Sequence, residues 1–320
     1  MQNEATTTSF GVHVGLQHTT PAELIPLYRH IEDLGFDWIS VWDHFYAGTG
    51  RPDDASCLEA VAMHAALACS TERVRCGALV YSVGYRHPAI LAKAITTIDL
   101  LSGGRAEMGL GAGWAEVEYR AYGIDFPPIG TRMDQLDEGV RVLRSLLHDQ
   151  PEGGDRADGA GADFSGDWFT LRSARNEPRP IQRRLPIWIG GTGERRTLPI
   201  AARHADGWNA PFVSPEELAR LRGRLLGLAR EAGRAPDGIR CAVNLGLAFT
   251  EDSLHQQFGA LVERVRPGVL TGSDDEIVDR IGAYVDAGAD QINLALRAPF
   301  DVDALDRFAD LLGLAGRSSS

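Results

Sequence analysis

Residues 185–203 read LPIWIGGTGERRTLPIAAR, an apolar run that breaks into three glycines and resumes with helical spacing. This is the pattern of a strand, a tight turn and the start of a helix. Gly190, Gly191 and Gly193 admit positive φ and let backbone N–H groups converge on one point, and the first helical turn adds unpaired donors at the positive end of its dipole. A phosphate fits such a cradle, and so does a plain strand-to-helix turn that binds nothing. The segment alone leaves both readings open. The choice turns on what stands at the other strand ends.

Strand-like patterns fall at residues 10–16, 38–42, 74–81, 106–110, 186–189, 207–209, 240–249 and 291–296. Helix-like patterns fall at 21–34, 56–69, 87–101, 131–147, 194–204, 215–232, 274–287 and 302–314, with Gly35, Gly103 and Gly288 placed to stop helices. Eight strands alternating with helices predict an α/β fold closed as a (β/α)8 TIM barrel, one domain over residues 1–320. The rhythm breaks once, at 149–184. The first half of this stretch is rich in Gly, Ala and Asp, and the second half, WFTLRSARNEPRPIQRR, reads as extended. It is expected to be a loop insertion after strand four, mobile at first and then draped over the barrel mouth as a lid.

The formal charge of -12 argues against nucleic acid or an anionic membrane as the main partner and favours a small-molecule substrate. Cys57, Cys69, Cys76 and Cys241 form no CxxC pair and read as reduced core thiols. The polar N-terminus carries no signal pattern and no window matches a membrane span, so a cytoplasmic location is expected. Lys93 is the only lysine and lies within the helix at 87–101, away from any strand end. Schiff-base chemistry is thereby disfavoured.

Active sites of such barrels form at the C-terminal strand ends. Strand two leaves through Trp42, Asp43, His44 and Phe45, strand four through GLGAGW at 109–114, and strand six through DGWN at 206–209. Strand alternation sets Ser40, Trp42 and His44 on one face. His44 is thus turned toward the mouth as a group that gives or takes a proton, while Asp43 either orients it or binds a cofactor. An ordinary buried histidine with a partner is the bland alternative. Scattered histidines without HxH or HExxH make a catalytic metal unexpected. Trp114 stands where the third glycine of a dinucleotide fingerprint would fall, so 109–113 suit a flat ring lying on the backbone, walled by Trp42, Trp114 and Trp208.

WDHF at 42–45, YRHP at 85–88 running into LAKAITTIDLLSGGRAEMGLGAGW, and PIWIGGTGERR with ADGWN together resemble the bacterial luciferase-like superfamily, in its branch of oxidoreductases that use the deazaflavin coenzyme F420. The resemblance implies a flavin-type ring at the barrel mouth, a homodimer, and a cis peptide without proline on strand three, near Ala78 and Leu79. It also implies that Asp43 contacts the ring, that His44 is the acid–base group, and that Ala112, Gly113 and Trp114 line the cofactor. Gly190, Gly191, Thr192 and Gly193 would hold its phosphate. The implied reaction moves hydride between the deazaflavin and a small carbonyl, imine, alcohol or activated alkene. The same fold supports FMN as alternative cofactor, in a two-component monooxygenase fed by a partner reductase, or a noncatalytic flavin-binding relative. Sugar-phosphate dehydrogenases of the deazaflavin branch carry a glutamate where this chain has Trp114, and their phosphate-binding lysines have no counterpart, which counts against glucose 6-phosphate.

Overall fold

The computed structural model describes residues 8–47, 56–148 and 161–319. Strand β1 (Ser9–Val14) leads to helix α1 (Pro21–Asp33), β2 (Trp38–Val41) to α2 (Ala60–Ser70), and β3 (Arg75–Ala78) with β4 (Tyr81–Ser82) to α3 (Pro88–Leu101). Next come β5 (Met108–Gly111), α4 (Glu116–Ala121), α5 (Ile129–Leu147), and a hairpin of β6 (Ala162–Ser165) and β7 (Thr170–Ala174). The chain resumes with β8 (Ile187–Gly190), α6 (Thr197–His204), β9 (Gly207–Pro211), α7 (Pro215–Glu231) and β10 (Arg240–Leu247). It ends through α8 (Glu251–Phe258), α9 (Val262–Val265), β11 (Val269–Leu270), α10 (Asp274–Asp286), β12 (Gln291–Leu296) and α11 (Val302–Leu312). Gly35, Gly103 and Gly288 follow α1, α3 and α10 at φ of 90°, 68° and 87°, as expected of helix stops.

The barrel strands pair in parallel in the order β3, β2, β1, β12, β10, β9, β8, β5, β4. β3 and β4 are two halves of one stave, separated by a cis peptide between Leu79 and Val80. A bridge between Cys76 and Ala106 closes the ring. Eight staves result, in agreement with the strand–helix alternation. The cis bond lies one residue beyond the expected position: Ala78 ends β3 and is wholly buried, while Leu79 and Val80 line the mouth.

Nearly all stave residues are buried on both faces, which is why they read as apolar runs rather than as alternating strands. Inside the barrel, Trp38 and Trp188 approach to 6.0 Å between ring centroids and pack with Leu79, Val80 and Ala242. Val80 explains three glycines. A Cβ at Gly109, Gly111 or Gly190 would lie 2.7, 2.6 or 2.8 Å from a Val80 methyl. These residues therefore make room for the Val80 side chain, and Gly111 and Gly190 line the mouth beside it while Gly109 does not. Below them, the buried Glu107 accepts hydrogen bonds from Trp188 Nε1 and Arg75 Nε and seals the barrel floor.

Residues 149–160 of the insertion lie outside the described residues. The rest does not form a lid. The hairpin is pinned to α5 by Glu138, whose carboxylate accepts from the backbone N–H groups of Asp167, Trp168 and Phe169. The chain then runs along α3, where Gln182 bonds Asp99 at its far end. None of residues 161–184 lines the mouth. Among the described residues no helix is long and apolar enough to cross a membrane.

Candidate active site

The C-terminal strand ends enclose a cavity of about 470 Å³, within the range of small-ligand sites. Trp42, Asp43 and His44 reach it from β2, Ala112, Gly113 and Trp114 from β5, and Gly190 to Thr192 from β8. Strand order places these three groups around one opening. Gly193 lies outside the lining, where its carbonyl accepts from the Leu198 N–H at the start of α6. Ala78 is also outside, in the core.

His44 is flanked edge-on by Trp42 and Trp114, at 5.1 and 5.2 Å between ring centroids. Its Nδ1 pairs with Glu118 Oε1 at 2.9 Å. The orienting group is therefore Glu118, and Asp43 does not take that role. Glu118 sits on α4, 1% exposed, and also accepts from the Tyr85 hydroxyl and, at 3.3 Å, from the Tyr46 N–H. Burial works to raise its pKa, but the His44 and Tyr85 hydrogen bonds outweigh it and hold the carboxyl below its ordinary range. Burial and the bond to Glu118 push the Tyr85 phenol up, so it donates.

Asp43 is 4% exposed. Its Oδ2 accepts from the Ser82 N–H at 3.0 Å and from Arg86 Nη1 at 2.7 Å, while Oδ1 is buried without a partner. Burial raises this carboxyl, and the Arg86 guanidinium opposes the rise. Asn209 Oδ1, on β9, is likewise buried and unpartnered at the same cavity. Two orphaned acceptors on residues that line one cavity suit a ring edge that carries an N–H donor.

The glycine turn is more constrained than its sequence suggests. Gly191 holds φ at 119°, its N–H donates to Asn209 O at 3.0 Å, and its carbonyl accepts from Trp208 Nε1 at 2.7 Å. Trp208 is thus a brace behind the turn, fully buried, and forms no part of the pocket wall. The donors left for an anion begin at Thr192 and continue at Thr197 in the first turn of α6, both lining the cavity. Thr197 was not evident in the sequence, because the helix start falls three residues later than its pattern implies.

The opposite wall was missed altogether. Leu261, Arg264 and Val265 enter from the segment between β10 and β11, and Arg297 enters after β12. Arg297 lies over Trp42 at 4.5 Å and over Phe258 at 5.1 Å, and burial lowers its pKa to about 10. His13, hydrogen-bonded through Nδ1 to Ser40 at 2.8 Å, is pushed down to about 3 by burial, with Arg297 and His44 adding to the effect. It is a neutral wall residue.

A family model described as luciferase-like monooxygenase matches residues 5–255. The chain belongs to the luciferase-like monooxygenase family. It is an enzyme of the oxidoreductase type found there. Among relatives of this luciferase-like chain, an F420-dependent glucose-6-phosphate dehydrogenase of Intrasporangium calvum is 29% identical over 340 residues, covering 92% of this chain and 96% of that one. One of the same name from Amycolatopsis mediterranei is 27% identical over 245 residues, 76% of this chain, and the match spans only 60% of that relative's length. An F420-dependent secondary alcohol dehydrogenase solved with an F420–acetone adduct superposes with a TM-score of 0.83 at 21% identity, covering 96% of this chain and 99% of its own. A long-chain alkane monooxygenase superposes with a TM-score of 0.78 at 16% identity, covering 97% and 92%. These two likenesses are of fold.

Proposed function

We propose that this enzyme is an F420-dependent oxidoreductase that moves a hydride between the deazaflavin and a small organic substrate. The observation that carries the reading is His44, its Nδ1 held by Glu118, in a cavity whose lining also includes Asp43 and Asn209, each with an orphaned buried acceptor. The relatives named as F420-dependent support the choice of deazaflavin over flavin. Bound at this mouth, coenzyme F420 would supply or accept a hydride at C5.

The chain's own part is positioning and proton handling. Asp43 and Asn209 would accept from the N–H edge of the ring, Ala112 and Gly113 would border it, and Gly190 to Thr192 with Thr197 would hold the phosphate. His44 Nε2 takes a proton when an alcohol is oxidised, or gives one when a carbonyl is reduced. Trp42 and Trp114 keep bulk water from that nitrogen. Trp114, 52% exposed at the rim, presents an indole where sugar-phosphate dehydrogenases place a carboxylate, so the substrate is a small alcohol, carbonyl, imine or activated alkene other than glucose 6-phosphate.

The same reading carries a cytoplasmic homodimer, with a separate reductase supplying reduced cofactor where the reaction consumes it. Titrating the purified protein separately with F420 and FMN tests the cofactor. F420 is expected to bind at least tenfold tighter. Tight FMN binding with negligible F420 binding overturns the reading in favour of the monooxygenase chemistry named for other family members.

A further inference from the structure

We propose that Glu118 is the positioning residue of His44, fixing the imidazole as its Nδ1–H tautomer so that Nε2 alone exchanges protons with a substrate. This rests on His44 as the proton-transfer group of the proposed function.

Hydrogen-bond capacity decides where the proton sits. An ionised carboxylate only accepts. Three donors converge on Glu118: the Tyr85 hydroxyl on Oε2, and the Tyr46 N–H and His44 Nδ1 on Oε1. The Tyr46 amide has no other role than donor, and the phenol, which burial keeps protonated, donates as well. With the carboxylate held ionised in this nest, the proton in the 2.9 Å contact to His44 belongs to Nδ1. The neutral ring then has its lone pair at Nε2. That nitrogen has no hydrogen-bond partner among the described residues, and His44 lines the cavity.

Geometry fixes the ring as well as the tautomer. Trp42 and Trp114 hold its two sides, and Glu118 holds its back. A proton accepted at Nε2 converts the ring to an imidazolium whose positive charge faces the Glu118 carboxylate 2.9 Å away. The charge is therefore met at the moment it forms, and it is discharged by returning the proton through Nε2. Glu118 lies outside the cavity lining, which separates its role from that of His44. Tyr85 and the Tyr46 amide in turn stop Glu118 from rotating away, in the way outer hydrogen bonds orient the groups that do chemistry.

The test uses the cofactor-free protein labelled with 15N-histidine. At about pH 9, above the ordinary histidine range, long-range 15N–1H spectra report which ring nitrogen carries the proton, and His44→Gln assigns the signal by its loss. His44 is expected wholly as the Nδ1–H tautomer in the wild type, and redistributed between both tautomers in Glu118→Ala. Glu118→Gln keeps the shape and one acceptor, and serves if the alanine variant fails to fold. It should retain part of the Nδ1–H population while lowering turnover about 10- to 100-fold with KM changed less than twofold. An Nε2–H tautomer in the wild type overturns the proposal, as does a tautomer unchanged in a folded Glu118→Ala. Because the spectra need no cofactor, failure of F420 to bind removes the functional reading without touching this result.

Discussion

Asp43 Oδ2 and Arg86 Nη1 meet at 2.7 Å behind the cavity wall, with the carboxylate 1% and the guanidinium 19% exposed. Removing one member of such a buried pair strands the other. Arg86→Met is expected to cost about 3–5 kcal/mol of stability for this reason. Burial already raises the Asp43 carboxyl, and losing the guanidinium raises it further. A raised folded-state pKa means that the native state binds more protons than the unfolded chain above the ordinary carboxylate range, so stability falls as pH rises. The deficit should therefore be smallest near about pH 4.5 and grow toward neutrality. Urea unfolding of both proteins across that window measures it, and a deficit that does not change with pH contradicts the account.

The Val80 side chain and Gly190 are in a similar bind, of space rather than charge. Gly190→Ala places a Cβ 2.8 Å from a Val80 methyl, and overpacking of this kind costs about 1–3 kcal/mol. Val80→Ala in the same chain should recover most of that loss, with a coupling of about 1 kcal/mol or more. Gly109→Ala provides the contrast, because its Cβ also meets the Ala78 carbonyl oxygen at 2.7 Å, which no side-chain truncation removes. Equal rescue at both glycines would show that the backbone yields and that Val80 is not the constraint.

How much of this was legible follows from these same residues. The eight staves could be read because the apolar runs are fully buried and helices intervene, so composition alone marks them. His44 could be read because a histidine at a strand exit has few places to point. Glu118 could not: it meets His44 across 74 residues of chain, through a six-residue helix with no side-chain cap to announce it. The only trace in the sequence is a glutamate four residues past Trp114. The break in strand three was hidden because residues 76–81 carry no charged or turn-forming signal beyond Gly77, and the glycines facing Val80 looked like ligand glycines because space left for a methyl and space left for a ring leave the same letter. The wall from 250 to 273 was lost among short elements whose periodicity never completes.

Buried histidines such as His13 and His64 weaken the fold in acid. His13 bonds Ser40 and His64 bonds the Tyr81 hydroxyl at 2.9 Å, and burial pushes them down to about 3 and about 4. The unfolded chain takes up both protons near the ordinary histidine value while the native state refuses them, so stability falls as pH drops below about 6.5. His64→Gln removes one of these protons and should lessen the decline between about pH 6.5 and 4. Unfolding midpoints at several pH values decide this. Parallel losses in wild type and variant would mean that His64 carries its proton in the fold.

Arg297 has the reverse relation to stability. Its guanidinium rests on Trp42 and Phe258, with no carboxylate in ion-pair range among the described residues. Burial lowers its pKa to about 10, so the charged form is the one the site disfavours. Desolvation of an uncompensated cation opposes folding, while the aliphatic stem and the ring contacts favour it. Arg297→Met retains the apolar stem and deletes the charge. It is expected to be neutral or stabilising by about 1 kcal/mol, in contrast to the loss predicted for Arg86→Met, where the cation has a buried partner. A cation kept at a cost in stability in the same cavity as His44 belongs to the function of the mouth, so the variant should lose turnover while gaining resistance to urea. A variant that is both less stable and equally active would show instead that the guanidinium is a packing element of the wall.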